Sequence, residues 1–199
     1  MIRLLLAVAL LASTAYADEL PRAAVDNAHK YLHVRERSNR NDAPEIDRFL
    51  SYLGLPKGLA WCAAFSLYNY KEAADVLQVR QPFPRYGRVA MLWETCKRHP
   101  LKYRTITADQ VRLGSVQLQA GDLPIWASGR IKGGDFNGHT GLIQSQLSPV
   151  KFRSIEGNTT PGPAGDQRDG GGVYERVRSI SPGSFRILGF CRAIQEQQR

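Results

Sequence analysis

The chain is poor in cysteine. Its 199 residues hold three, Cys62, Cys96 and Cys191. No Cys-x-x-Cys pair occurs among them. Cys96 and His99 could share one side of a helix, but no second pair completes a zinc site. No metal and no cofactor is therefore expected. Long apolar runs are also missing. The one candidate, Leu4 to Ala12, falls far short of the ~20 residues that span a bilayer. Asp18, not cysteine, comes directly after Ala17, so the new N-terminus offers no thiol to take a lipid. The chain carries no helix-turn-helix, RNP-like or zinc-finger pattern, so its net charge of +9 is not read as a nucleic-acid surface. There is no internal repeat and no interdomain linker.

The N-terminus carries what the rest lacks. Met1-Ile2-Arg3, the apolar run and Ala15-Tyr16-Ala17 form a basic start, a short core and a small-x-small site, the pattern of a secretory signal peptide. Residues 1–17 are read as that signal and 18–199 as a single catalytic domain. Export places the mature chain in the periplasm or outside the cell, with no membrane segment of its own, and the signal looks bacterial. Cleavage removes only Arg3 among the charged residues, so the mature chain remains strongly basic. An anionic cell wall is a partner that suits this charge. An odd cysteine count in an exported protein leaves one thiol to explain. The simplest pairing joins Cys96 to Cys191 and leaves Cys62 free. Two buried, reduced thiols at 96 and 191 are an equal alternative.

Apolar spacing divides the chain into a helical first half and a stranded second half. Ala23, Val25, Ala28, Tyr31, Leu32 and Val34 suggest a first amphipathic helix. Asp42 is expected to cap a second, with Pro44 in its first turn and Gly54 at its end. A third runs from about Trp61 to Val76 and is apolar nearly all round at its start, so that end should be buried. Val89 to Cys96 predicts a short fourth. Strands are expected from Leu123 through Trp126, with Pro124 at an edge or bulge, then over His139–Gln146, Val150–Asn158, Val173–Ser181 and Phe185–Ile194. Ser128–Gly138 reads as a loop, and Thr159–Gly172 as a long mobile connection. Helices followed by sequential strands predict an α+β fold, with N-terminal helices packed on an antiparallel sheet.

Three motifs carry chemistry. Gly58-Leu59-Ala60-Trp61-Cys62-Ala63-Ala64-Phe65 puts a cysteine at a helix start, where free amides and the helix dipole stabilise a thiolate. Gly138-His139-Thr140-Gly141 presents a histidine between glycines that allow another element to approach. Ser154-Ile155-Glu156-Gly157-Asn158-Thr159 supplies a carboxylate and an amide. Two strand positions apart, Glu156 and Asn158 should face the same way. A hairpin between their strand and the strand carrying His139 would bring the three together. Cys62, His139 and Glu156 are then nucleophile, base and the base's orienter, with Asn158 as an auxiliary amide. His29, His33 and His99 lie on expected helices and lack such a setting.

With these motifs, the chain resembles the CHAP family of cysteine- and histidine-dependent amidohydrolase/peptidases, among the NlpC-like and papain-like cell-wall hydrolases. The resemblance rests on Trp61-Cys62-Ala63-Ala64-Phe65, Gly121-Asp122, Gly138-His139-Thr140-Gly141 and Glu156-Gly157-Asn158-Thr159. Gly171-Gly172-Val173-Tyr174, followed by Arg176 and Arg178, extends it. It implies a papain-like fold and cleavage of amide or peptide bonds in peptidoglycan, with stem peptides as substrate. Cys62 would be the nucleophile, His139 the base, Glu156 its partner and Asn158 an auxiliary group. A transglutaminase-like acyl transferase and a catalytically silent cell-wall binding module are the alternative readings.

Overall fold

The structure is a computed structural model that describes residues 19–162, 170–180 and 185–194. The signal-peptide reading and most of the Thr159–Gly172 connection lie outside the described residues. Among the described residues, five helices and seven strands follow in an α+β arrangement with antiparallel sheets.

Helix α1 covers residues 19–29 and buries Leu20, Ala24, Val25 and Ala28 along one face. Helix α2, Pro44–Tyr52, begins one residue later than Asp42 would cap it: Ala43 is its N-cap, with no side-chain bond. The Asp42 carboxylate instead accepts from the backbone N–H and the hydroxyl of Ser38, both at 2.9 Å, closing the preceding turn. Pro44 needs no capping partner for an N–H it does not have. Gly54, at φ +71, follows the helix end, as expected.

Helix α3, Cys62–Leu77, buries every residue from Cys62 to Tyr70. Such a helix needs cover on all sides. Phe49 of α2 provides part of it, with its ring within 5.0 to 6.0 Å of those of Tyr31, Trp61, Phe65 and Tyr68. Helix α4, Val89–Arg98, follows the Pro82-Phe83-Pro84 loop, where Phe83 stacks on Tyr103 at 5.6 Å. Strand β1, Tyr103–Ile106, and helix α5, Ala108–Arg112, fill a stretch to which the sequence pattern assigned no element. Thr107 and Gln110 form a reciprocal capping box at the start of α5.

The remaining strands are β2 (Leu123–Lys132), β3 (Asp135–His139), β4 (Leu142–Ser148), β5 (Lys151–Thr159), β6 (Gly172–Ser179) and β7 (Phe185–Ala193). They form two antiparallel sheets rather than one, in the orders β1-β7-β2-β3 and β4-β5-β6. The expected Ser128–Gly138 loop is a hairpin instead: β2 turns into β3 through Gly133 and Gly134, both at positive φ, a pair that suits a tight hairpin turn. Pro124 lies next to a bulge and has only β7 beside it, because pairing with β3 starts at Trp126. There its missing N–H costs no ladder bond.

Two apolar clusters result. One joins the helices to the inner faces of both sheets; the other contains Trp126, Ile143, Phe152, Ile187 and Phe190. Gly121-Asp122 ties the two sheets together: Gly121 N–H donates to the Ile143 carbonyl, Ile143 N–H to the Asp122 carbonyl, and Arg192 forks onto the Asp122 carboxylate with two bonds of 2.7 Å. Among the described residues, no helix is long and apolar enough to cross a membrane.

Cys96 and Cys191 are joined as a disulfide across 95 residues, tying α4 to the middle of the four-stranded sheet, and Cys62 is the free thiol. A bridge closing so long a loop stabilises the fold by about 3–5 kcal/mol in the chain-entropy view. Thiol counting under denaturing, non-reducing conditions should therefore find one thiol, mapping to Cys62. Reduction should lower the urea midpoint. Three titratable thiols in the unreduced protein would contradict the pairing.

Candidate active site

Cys62 is the first residue of α3, and Trp61 is its N-cap. The Trp61 indole N–H donates to Glu36 at 3.1 Å, so the chain entering the helix is fixed by a side chain from the 30s loop. At the other end of the turn, the Ser66 hydroxyl donates to the Cys62 carbonyl at 3.0 Å. The first amides of a helix lack intrahelical partners and point toward its N-terminus. No acidic residue occupies the first turn of α3 to oppose an anion there. The thiol is nearly enclosed, with the residue 5% exposed.

His139 arrives by a different route from the one its sequence pattern suggests. It is the last residue of β3, in the four-stranded sheet, and is paired with Trp126 of β2. The expected strand from His139 to Gln146 is broken by Thr140-Gly141, and β4 starts at Leu142 in the other sheet. His139 and Glu156 therefore meet across the junction of two sheets, not within a hairpin. Gly141 permits that junction. A Cβ there would lie 2.6 Å from the Glu156 Cγ and 2.8 Å from the Ile155 carbonyl oxygen.

Glu156 sits on β5, the central strand of its sheet, and is completely buried. Its Oε2 lies 2.9 Å from His139 Nε2. Its Oε1 accepts from the Ser154 hydroxyl at 2.6 Å and from Arg178 Nε at 2.8 Å, while Arg178 Nη2 bonds Oε2. An isolated carboxylate at this depth would be worse off by several kcal/mol. Burial alone would raise its pKa, but Arg178 and then His139 outweigh that and hold it at about 2.

His139 is equally buried, and burial opposes its charge. Hydrogen bonding to Cys62 and to Glu156 nonetheless pushes its pKa up to about 9. With Nε2 turned to Glu156, Nδ1 is the ring nitrogen left for the thiol. The Trp126 ring packs against the imidazole at 5.5 Å between centroids, and the Arg178 guanidinium lies 5.5 Å from that indole ring. The chain Arg178, Glu156, His139, Cys62 thus alternates in charge when the thiol is ionised.

The structure brings Cys62, His139 and Glu156 together as expected. Asn158 is buried beside them but is reached differently. It takes φ +59, and the pairing of β5 with β6 slips by one residue between Glu156 and Thr159. A bulge of this kind changes the aim of the side chains beyond it, so simple two-residue alternation does not govern β5 past Glu156. The face opposite Glu156 at Gly157 is covered by the start of α3. A Cβ there would come within 2.6 Å of the Trp61 ring and 2.7 Å of Phe65, so glycine lets the first turn of α3 sit directly on β5.

Two partners of the carboxylate, Ser154 and Arg178, lie within the sequence motifs, which assign them no role in the site. The available signal was alternation on β6, where Tyr174, Arg176 and Arg178 share one side, and a buried arginine calls for an anion. Arg176 is used elsewhere, donating to the carbonyls of Thr160 and, at 2.7 Å, Gly162. No protein-family profile matches the chain, and no curated protein matches it in sequence.

The two shifts fix the pH range of stability. His139, raised in the fold, contributes fully below about 6.5, and the contribution is lost as pH rises through about 9. Glu156, lowered in the fold, contributes fully above about 4.5, and the contribution is lost as pH falls through about 2. Urea unfolding across this range should give a plateau near pH 5–6 with a fall on each side. Glu156→Gln should weaken the alkaline fall, because His139 loses a partner that raises its pKa. Asn158→Ala should leave that fall in place. The reverse pattern would mean that the amide, not the carboxylate, supports the imidazolium.

Proposed function

We propose that this chain is a cysteine hydrolase that cleaves amide or peptide bonds through a thioester on Cys62. The observation that carries this reading is the enclosed line from a helix-start thiol through a raised-pKa histidine to an ionised carboxylate. The reacting form is the Cys62 thiolate beside a protonated His139, whose pKa is pushed up to about 9. The thiolate attacks the substrate carbonyl, and the new oxyanion faces the free amides at the start of α3, the Cys62 N–H among them. His139 then gives its Nδ1 proton to the departing amine as the carbon–nitrogen bond breaks. A thioester remains. His139, now neutral, takes a proton from water; the hydroxide adds to the thioester, and the carbon–sulfur bond breaks to release a carboxylic acid and restore the ion pair. Glu156 keeps Nε2 as the protonated, oriented nitrogen throughout.

The substrate class rests on the motif resemblance and on charge. The Cys62, His139 and Glu156-Gly157-Asn158 motifs resemble those of CHAP peptidoglycan hydrolases, and a net charge of +9 suits an anionic wall. On this reading the mature chain works outside the cytoplasm on peptidoglycan stem peptides. The disulfide fits an oxidising compartment.

The test is digestion of purified peptidoglycan, followed by mass spectrometry of the released fragments. Wild-type protein should release fragments with a new carboxyl and a new amine at one bond type. Cys62→Ala should release none while keeping its circular dichroism spectrum and its melting temperature within a few degrees. Wild-type turnover by Cys62→Ala would overturn the mechanism. Incorporation of an added amine at the acyl end, in preference to water, would reassign the reaction to acyl transfer.

A further inference from the structure

Glu156 has more partners than its proposed role requires, and the strongest of them comes from β6, outside the Cys62, His139 and Glu156 motifs. We infer that Arg178 is a positioning residue of this site: its guanidinium fork fixes the Glu156 carboxylate in plane, so that one defined oxygen meets His139. The inference rests on the hydrolase reading only for its meaning in catalysis; the geometry stands by itself.

The fork binds both carboxylate oxygens, Nε to Oε1 and Nη2 to Oε2. A bidentate pair sets the plane of the carboxylate as well as its charge. Ser154 adds a third bond to Oε1, which directs Oε2 toward the imidazole. Arg178 is itself held by two further contacts. Its Nη2 reaches the Thr159 hydroxyl at 3.2 Å, its guanidinium lies 5.5 Å from the Trp126 ring, and its side chain is 10% exposed. Trp126 packs its ring on His139 as well. One arginine thus braces the carboxylate directly and the imidazole through an indole. Lysine, a point charge without a fork, would supply the first effect only in part.

The groups facing Glu156 come from every neighbouring element: Ser154 on its own strand, Arg178 and Arg176 on β6, His139 from β3 and, beyond it, Cys62 on α3. Of these, Arg178 is the foremost in keeping the carboxylate ionised against burial. Without it, Glu156 would hold a proton to higher pH. The imidazolium would then lose its partner at the acid end, and the Cys62 thiolate with it.

The readout is the pH dependence of Cys62 alkylation by iodoacetamide, which reports the thiolate and requires no knowledge of substrate. Wild type, Arg178→Lys, Arg178→Gln, Glu156→Gln and the Glu156→Gln/Arg178→Gln double variant are compared. Arg178→Gln should move the acid edge of the profile up by about one pH unit, a tenfold loss of rate at a pH on the wild-type edge. Arg178→Lys should fall between it and wild type. In the Glu156→Gln background, adding Arg178→Gln should move nothing further. That double variant removes both buried charges together, so it leaves neither unpaired and stays foldable if Arg178→Gln alone does not. Coincident edges for double and Glu156→Gln proteins support the inference. An edge that shifts equally in both backgrounds, or that Arg178→Gln leaves unmoved, overturns it. If wild-type protein cleaves no peptidoglycan but the alkylation pattern holds, the substrate reading fails and the role of Arg178 stands.

Discussion

A fully buried carboxylate is the constraint on which the rest of the site depends. Glu156 has no exposed surface, and an ion in that position is tolerated only when its lone pairs are taken and its charge is opposed. Arg178, Ser154 and His139 meet both demands. Hydrogen bonds to Cys62 and to this carboxylate hold the histidine as a cation despite its own burial. Because the histidine is a cation, a thiolate at the start of α3 has a counter-charge. Each group in the line is stabilised by its neighbours, and none would hold its charge at that depth alone.

The fold delivers four elements to one seam. α3 brings its N-terminus onto β5 because Gly157 leaves room for Trp61 and Phe65. β3 ends at His139 and hands the chain to the second sheet through Thr140-Gly141, placing the imidazole over the central strand of that sheet. β6 lies alongside β5 and contributes Arg178. The disulfide and the Asp122–Arg192 fork lie away from the reacting groups and tie α4 and the 117–122 segment to β7. They hold the frame, while the charged line occupies its seam.

Much of this was legible in the sequence for a physical reason. Period and capping signals are local, so the helix over Cys62, the glycine stop at Gly54 and the strands around Ile155 and Val173 could be read from neighbours in the chain. The pairing of Cys96 with Cys191 followed from an odd thiol count, although reduced thiols remained an equal reading. What failed was long-range or hidden in a single torsion. Asp42 has the right chemistry for a cap but found a nearer donor in Ser38. The Ser128–Gly138 stretch looked like a loop because its polar, glycine-rich composition masks a hairpin whose outer residues face water. His139 was placed on the strand that follows it, since nothing local marks the change of sheet at Thr140. The register of β5 slips after Glu156 and Asn158 takes a positive φ, which two-residue alternation does not foresee. Arg178 was visible as a strand residue, but its value comes from a carboxylate 22 residues away.

The central claim is that the resting site holds a charged imidazole in a dry setting. Nitrogen-15 NMR of the His139 ring in the wild-type protein at about pH 7.5 tests it most directly, because the shifts of the two ring nitrogens distinguish imidazolium from either neutral tautomer. The account predicts imidazolium, with both ring nitrogens protonated well above the ordinary histidine range. A neutral ring at that pH, with Nδ1 or Nε2 bare, would contradict it.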